Sequence, residues 1–229
     1  MTARARTLLG LLALGLTATA ATVAAVAIAN VGVYGNNFTK RADVAQVKKA
    51  GGGKRCERRW AKKSKRLRAV VSRGPATCGF RPPVEGDADL PDHIIRVDGT
   101  IGMGGPKAAR ETAHLLVRAR AGGGANYELR VYPRGGRYEL HRRPDNAQFP
   151  VEGTSDEIDR IGRRNTIRLS VTGAEVRANV NGDLLEAVTD PNPGAVSGRR
   201  IHFGIGHDLD TSRDFFATFD RFKVWVPTP

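Results

Sequence analysis

Residues 165–182 read NTIRLSVTGAEVRANVNG, and the pattern in this stretch decides the fold class. Ile167, Leu169 and Val171 alternate with Arg168 and Ser170. After Thr172-Gly173, Val176, Ala178 and Val180 alternate with Glu175, Arg177 and Asn179. Period-two alternation sends one set of side chains into a core and leaves the other in water, which predicts half-buried strands. Asn181-Gly182 supplies the two positive-φ residues of a type I′ hairpin, so Asp183–Val188 is expected to return as the next strand. Consecutive hairpins with one polar face predict an antiparallel sandwich.

Outward from this hairpin the same pattern runs from Arg81-Pro82-Pro83 to the C-terminus. Predicted strands are His93–Thr100, Ala113–Arg120, Tyr127–Tyr132, Arg137–Arg142, Arg199–Ile205 and Phe215–Val226, the last one or two strands. Gly-Gly, Pro-Arg-Gly-Gly and Asp-Pro-Asn-Pro-Gly turns separate them, and no helical stretch intervenes. The expected fold class is all-β, an antiparallel two-sheet β-sandwich or jelly roll over 82–229.

The formal charge of +14 suggests a nucleic-acid binder until its distribution is read. Residues 40–81 hold 15 Lys/Arg against Asp43 and Glu57, whereas 82–229 hold 20 Lys/Arg and 21 Asp/Glu. The excess lies in one tract and the sandwich is neutral, so no nucleic-acid partner is expected. Arg4 and Arg6 precede an uncharged run from Thr7 to Val33. Such a run reads as a signal peptide, with Ala27-Ile28-Ala29 as a small-x-small cleavage site, or as a spanning helix of about 20 residues. Residues 1–36 are therefore expected to be a signal peptide or membrane anchor, and 37–81 a basic juxtamembrane linker.

Cys56 and Cys78 are the two cysteines of the chain. In an exported protein one pair reads as a disulfide, worth roughly 3 kcal/mol for a loop of this size. Zinc finds no further ligands at finger spacing. An extracytoplasmic location follows as an expectation. Tyr34–Lys40 and Ala50–Lys54 read as flexible. Trp60, Leu67 and Val71 lie near one helical face, so Glu57–Val71 is expected to form a short basic helix stopped by Gly74-Pro75. Its charges suggest an electrostatic contact with an anionic membrane or cell-wall surface through residues 40–81.

Several motifs in order carry a resemblance: Tyr127-Glu-Leu-Arg, Gly136-Arg-Tyr138-Glu-Leu, Val180-Asn-Gly182, Gly198-x-x-Ile-x-Phe-Gly204 and Phe219-Asp-x-Phe-x-Val224. With the Asn165–Gly173 strand, these resemble the concanavalin A-like lectin/glucanase jelly rolls, in particular laminin-G-like and 3-keto-disaccharide-hydrolase-like sandwiches of bacterial surface proteins. The resemblance covers about Asp92 to Pro227. It implies two curved antiparallel sheets and, often, glycan binding on the concave one, although function on this fold varies widely.

A glucanase of this fold would carry two or three carboxylates on one strand, as in Glu-x-Asp-x-Glu, because glycoside hydrolysis needs an acid and a nucleophile or base a fixed distance apart. No such run occurs. Parity instead sends Glu128, Arg130, Tyr132, Arg137, Glu139, His141, Arg168 and Arg177 away from the core. On the last strand Arg221, Lys223 and Trp225 oppose Phe222, Val224 and Val226. These polar positions form the candidate ligand face, with Trp225 as a sugar-stacking ring. Asp208, Asp210 and Asp214 alternate as calcium ligands do, without the glycine and glutamate of an EF-hand. No other cofactor is expected. Three functions fit: an exported, envelope-associated module that binds a carbohydrate or cell-wall polymer without catalysis, a hydrolase or lyase acting on a sugar, and a structural or protein-binding module.

Overall fold

The computed structural model describes residues 30–72, 76–83, 92–102, 110–122, 124–143, 151–198, 200–208 and 214–227. The apolar run up to Ala29, Gly74-Pro75 and Asp210 lie outside the described residues. Among the described residues no helix is long and apolar enough to cross a membrane.

In chain order the strands begin with β1 (Asn30–Asn36), β2 (Lys48–Lys49), β3 (Cys56–Ala61), β4 (Arg66–Val71) and β5 (Ala76–Arg81). They continue with β6 (His93–Ile101), β7 (His114–Gly122), β8 (Ala125–Tyr132), β9 (Arg137–Arg143) and β10 (Val151–Thr154). The last are β11 (Arg164–Thr172), β12 (Glu175–Val180), β13 (Asp183–Thr189), β14 (Arg200–His207) and β15 (Phe215–Pro227). One sheet has the order β13-β12-β11-β6-β15-β4-β3, with β1 also paired to β15. We call it sheet A. The other, sheet B, has the order β10-β9-β8-β7-β14-β5-β2. The strand pairs are antiparallel, and the two sheets form the expected sandwich.

The opening hairpin forms as its sequence dictates. Ile167, Leu169, Val171, Val176, Ala178 and Val180 are all fully buried. Asn181 and Gly182 adopt φ of 51° and 109°. The Asn181 side chain closes the turn by accepting a 2.8 Å hydrogen bond from the Thr166 amide. Leu169→Ala is expected to cost roughly 2–5 kcal/mol, the range for truncating a buried leucine. Arg168→Ala, next along the strand but exposed, should stay within about 0.5 kcal/mol. Urea denaturation of the two variants checks the facing of the whole strand, and equal losses would contradict it.

The two sheets meet over phenylalanines. Phe203 of β14 stacks on Phe222 of β15 at 4.6 Å between centroids and meets Phe219 edge-on at 5.1 Å. Both β15 rings point inward because a bulge between Phe219 and Arg221 shifts the register by one. β15 is thus one strand with a change of phase.

The segment before residue 82 differs from expectation. Glu57–Val71 is no helix: β3 and β4 form a hairpin in sheet A, with Trp60 opposite Leu67. Leu67, Ala69 and Val71 are all fully buried. A step of four residues belongs to both the helical and the strand period, so Leu67 and Val71 fit either; Ala69 between them is what identifies the strand. Trp60 packs against the core from β3. The dense Lys/Arg positions occupy an edge hairpin, where charge discourages pairing with another chain.

Nor are the glycine-rich and N-terminal stretches loose. Ala50 donates to the Gly79 carbonyl at 2.8 Å. A Cβ on Gly52, whose φ is +84°, would lie 2.5 Å from the Cys56 Cβ and 2.6 Å from the Thr77 carbonyl oxygen. Phe38 is fully buried and stacks on Phe203. Residues from Asn30 to Arg81 therefore contribute strands and core side chains to the same sandwich, across the boundary expected at 82.

Cys56 and Cys78 form the expected disulfide, with Cα atoms 5.0 Å apart. It joins β3 of sheet A to β5 of sheet B, a covalent tie between the two layers. At one end of the sandwich the Asp-Pro-Asn-Pro-Gly turn inserts Asp190, only 1% exposed, as a polar plug. Its carboxylate accepts from Tyr127 Oη at 2.7 Å, from Arg142 Nη1 at 2.6 Å and from the Asn192 amide at 2.8 Å.

Candidate functional site

Strand register sorts the outward residues onto two opposite surfaces. Glu128, Arg130 and Tyr132 of β8 and Arg137, Glu139 and His141 of β9 lie on the outer face of sheet B. Arg168 of β11, Arg177 of β12 and Trp225 of β15 lie on the outer face of sheet A. The single ligand face expected from parity is therefore two faces, separated by the core.

On sheet B the register builds a charged row. His141 stands opposite Glu128, Glu128 opposite Arg118 of β7, and Arg118 opposite His202 of β14. Glu128 is outward yet only 1% exposed, because arginines lie over it. It accepts from Arg118 Nε and, at 2.6 Å, from Arg130 Nε, and Arg143 Nη2 stands 3.8 Å away. Burial alone would raise its pKa, but the charges of Arg118 and Arg130 prevail and hold it at about 2. One step along, Glu139 accepts from Tyr132 Oη at 3.0 Å and lies 2.9 Å from His141 Nε2. Burial again raises its pKa, while the His141 and Tyr132 hydrogen bonds and the Arg137 charge bring it to about 2.

Beside this row an open cleft of about 600 Å³ is lined by Arg118, Asn126, Glu128, Arg130, Arg143, Arg200 and His202. Arg118, Asn126, Arg143, Arg200 and His202 complete the site and were not among the expected residues. Parity within Ala113–Arg120 and Arg199–Ile205 marks Arg118 and His202 as outward, but nothing local says that β7 and β14 lie beside β8. His202 is pushed down to about 4 by burial and by Arg118, Arg200 and Arg81. His114, fully buried under the same face, is also lowered to about 4, by burial and by Arg130.

Two expected roles change. Tyr132 is 1% exposed, and its ring is covered by the Arg137 guanidinium at 3.8 Å and by His114 at 4.9 Å, so it offers no open face for a sugar. Asp208 faces Arg130 at 3.8 Å instead of an oxygen-ligand partner. Among the described residues no three His, Cys, Asp or Glu side chains stand together as a metal site.

These shifts set the acid response. Glu128 and Glu139 are depressed, so they stabilise the fold above the ordinary carboxylate range, and that stability is lost as pH falls toward about 2. His114 and His202 are depressed from 6.5 to about 4, so between those values the unfolded chain binds more protons and acid again destabilises. Urea melts at pH 7, 5 and 3 should show a continuous loss of stability. His202→Gln should flatten its upper part and Glu139→Gln its lower part. A profile unchanged in both variants would contradict these environments.

The architecture is that of the concanavalin A-like jelly rolls, and the site is an arginine- and histidine-rich sheet face on that scaffold. Among solved structures the chain is similar to a protein of unknown function with a galectin-like fold from Bacillus subtilis, at a TM-score of 0.60 and 13% identity over 86% of this chain and 98% of that one. It is similar to the carbohydrate-binding module CBM66 from Bacillus subtilis, at a TM-score of 0.54 and 12% identity over 78% of this chain and 94% of that one. It also resembles a Bacillus licheniformis beta-glucanase, at a TM-score of 0.60 and 8% identity over 85% of this chain and 97% of that one. Spans of this length extend beyond Asp92–Pro227. No family model matches the chain, and no curated protein matches it in sequence.

Proposed function

We propose that this protein is an exported carbohydrate-binding module that engages a glycan on the outer face of sheet B without cleaving it. The observation that carries this reading is the state of Glu128 and Glu139. Glycoside hydrolysis requires one carboxyl group with a raised pKa to protonate the leaving oxygen. Here both carboxylates are bound to cations or hydrogen-bond donors and held at about 2. They serve to align Arg118 and Arg130, which line the cleft and present hydrogen-bond donors to it. The carbohydrate-binding module and the glucanase among the similar structures support a sugar-related role for the scaffold.

A glycan array and a set of chromogenic glycosides, tested on the full chain and on Arg143→Ala and Arg200→Ala, distinguish the readings. Binding that weakens at least tenfold in both variants, without turnover, is the expected result. Turnover would identify a hydrolase or lyase, and silence in both assays would leave a structural or protein-binding module.

Export is part of the proposal. β1 begins at Asn30, immediately after Ala27-Ile28-Ala29, so cleavage there would leave the described strands intact. The Cys56–Cys78 disulfide fits an oxidising compartment. Mass spectrometry of the native protein should give an N-terminus at Asn30 and no alkylatable thiol. Two free thiols would overturn export, and an intact N-terminal run would make that run a membrane anchor and not a cleaved signal. The exposed turn carrying Lys62, Lys63 and Lys65 is the contact we assign to an anionic envelope surface. Sedimentation with anionic vesicles or wall fragments should fall steeply with salt and in the triple Gln variant, and indifference to both would remove the assignment.

A further inference from the structure

The outer face of sheet A has features that folding alone does not require. Register places Arg168 of β11 opposite Arg96 of β6, and Arg96 opposite Lys223 of β15, three cations in one cross-strand row. Like charges directly opposite one another destabilise a sheet, and neighbouring strands usually avoid them. Asp98 neutralises Arg96, with 3.0 Å between Arg96 Nε and Oδ1. Arg168 and Lys223 have no carboxylate within ion-pair distance among the described residues. Two cations are thus left open on this surface.

Trp225 stands beside them. Lys223 Nζ lies 5.9 Å from its ring centroid, and buried Ile94 faces it across the strand pair. On its other side β1 presents Gly32, and β1 likewise presents Gly35 opposite Lys223. No side chain from these two positions covers the ring or the ammonium. Trp225, Arg96, Arg168, Asn179 and Asn181 line a cleft of about 430 Å³. β15 and β11 are separated by β6 alone, so Trp225 and Arg168 lie on the order of 10 Å apart across the sheet. A lone inorganic ion would not touch both.

We propose that this cleft is a second binding site, for an acidic sugar: a pyranose stacked on Trp225 whose chain carries a carboxylate or sulfate to Arg168, with Lys223 adding positive charge at the cleft's edge beside the ring. An aromatic face recognises the apolar side of a sugar ring. A guanidinium takes a planar oxyanion through two parallel hydrogen bonds. The Asn179 amide supplies a donor and an acceptor for hydroxyl groups, while Asn181, whose side chain is held by Thr166, Glu157 and Asn165, shapes the cleft wall. A neutral glycan would leave the cations unused, and nucleic acid would need phosphate contacts spread over a longer basic track than this row offers. The site stands on the face opposite Glu128 and does not rest on the reading of sheet B. With both faces occupied, one molecule would hold two polymer strands.

Isothermal titration calorimetry of the full chain with oligogalacturonate, dextran sulfate, neutral dextran and a DNA oligomer tests this. Binding of one or both acidic carbohydrates is expected, at least tenfold weaker in Arg168→Gln and in Trp225→Ala, with neutral dextran and DNA weak. The two acidic probes tell carboxylate from sulfate. Thermal melts of both variants should match the parent, which separates lost binding from lost folding. Binding of neither acidic probe, equal binding of DNA, or full affinity in Trp225→Ala would overturn the proposal. Arg200→Ala reads the opposite face separately, so the failure of one site is distinguishable from the failure of the other.

Discussion

Replacing Asp190 by alanine should destabilise the protein by about 3–5 kcal/mol, the range for breaking a buried ion pair by removing one partner. Asp190 is 1% exposed and Arg142 is 2% exposed, so the guanidinium would lose its carboxylate partner in a place that water scarcely reaches. Tyr127 Oη, also inside the sandwich, would lose its 2.7 Å acceptor. The same carboxylate holds the Asn192 amide, so the turn after β13 should loosen as well. Chemical denaturation should show the loss, and the thermal midpoint should fall by roughly 10 °C for a chain of this size. Asp190→Asn, which keeps an acceptor oxygen but no charge, should fall between. Adding Arg142→Met to Asp190→Ala should recover part of the loss, because no buried charge then remains. A change below about 1 kcal/mol in Asp190→Ala would mean that the plug contributes little.

The second large effect is expected from the disulfide. Removing a native disulfide from a small exported domain typically costs about 2–5 kcal/mol, and a separation of 22 residues corresponds to about 3 kcal/mol in the chain-entropy account. Cys56→Ala with Cys78→Ala is the cleaner pair, since serines would bury hydroxyl groups at positions that are almost completely enclosed. Because the bond ties sheet A to sheet B at the β3 edge, hydrogen exchange should accelerate first in β3, β4 and β5 and least in β11 and β12. Uniform acceleration would show that the bond acts on the whole fold and not on this edge. Full-chain stability unchanged by reductant would contradict the prediction.

Much of the fold was legible in the chain because its signals are local. Alternation within a strand reports inside from outside, and Asn181-Gly182 reports a tight turn, without knowledge of any distant residue. The β3–β4 hairpin is not legible in the chain because Leu67 and Val71 satisfy two periods at once and the charges between them mask Ala69. The glycines at 51–53 read as a linker, since composition does not reveal that Gly52 packs against Cys56 and Thr77. At the site, the outward direction of Arg130, Glu139 and Arg168 was legible, whereas their neighbours were not. Tyr132 was outward as expected, yet Arg137 and His114 close over its ring.

Local signals in the chain specify an all-β sandwich, most of its strands from β6 onward, the inward face of each and the pairing of its two cysteines. Each of these depends on residues a few positions apart or on a count of two. Long-range pairing, in contrast, divides the polar positions between two opposite surfaces, recruits the basic tract into strands and buries Asp190 as a plug. Parity distinguishes core from surface within one strand, but outward residues of either sheet carry the same signal. Which sheet a strand joins is set by pairing with strands far away in the chain, such as β6 with β15 or β5 with β14. That pairing depends on how the two inner faces fill one core together, a property of the whole chain that no single segment contains.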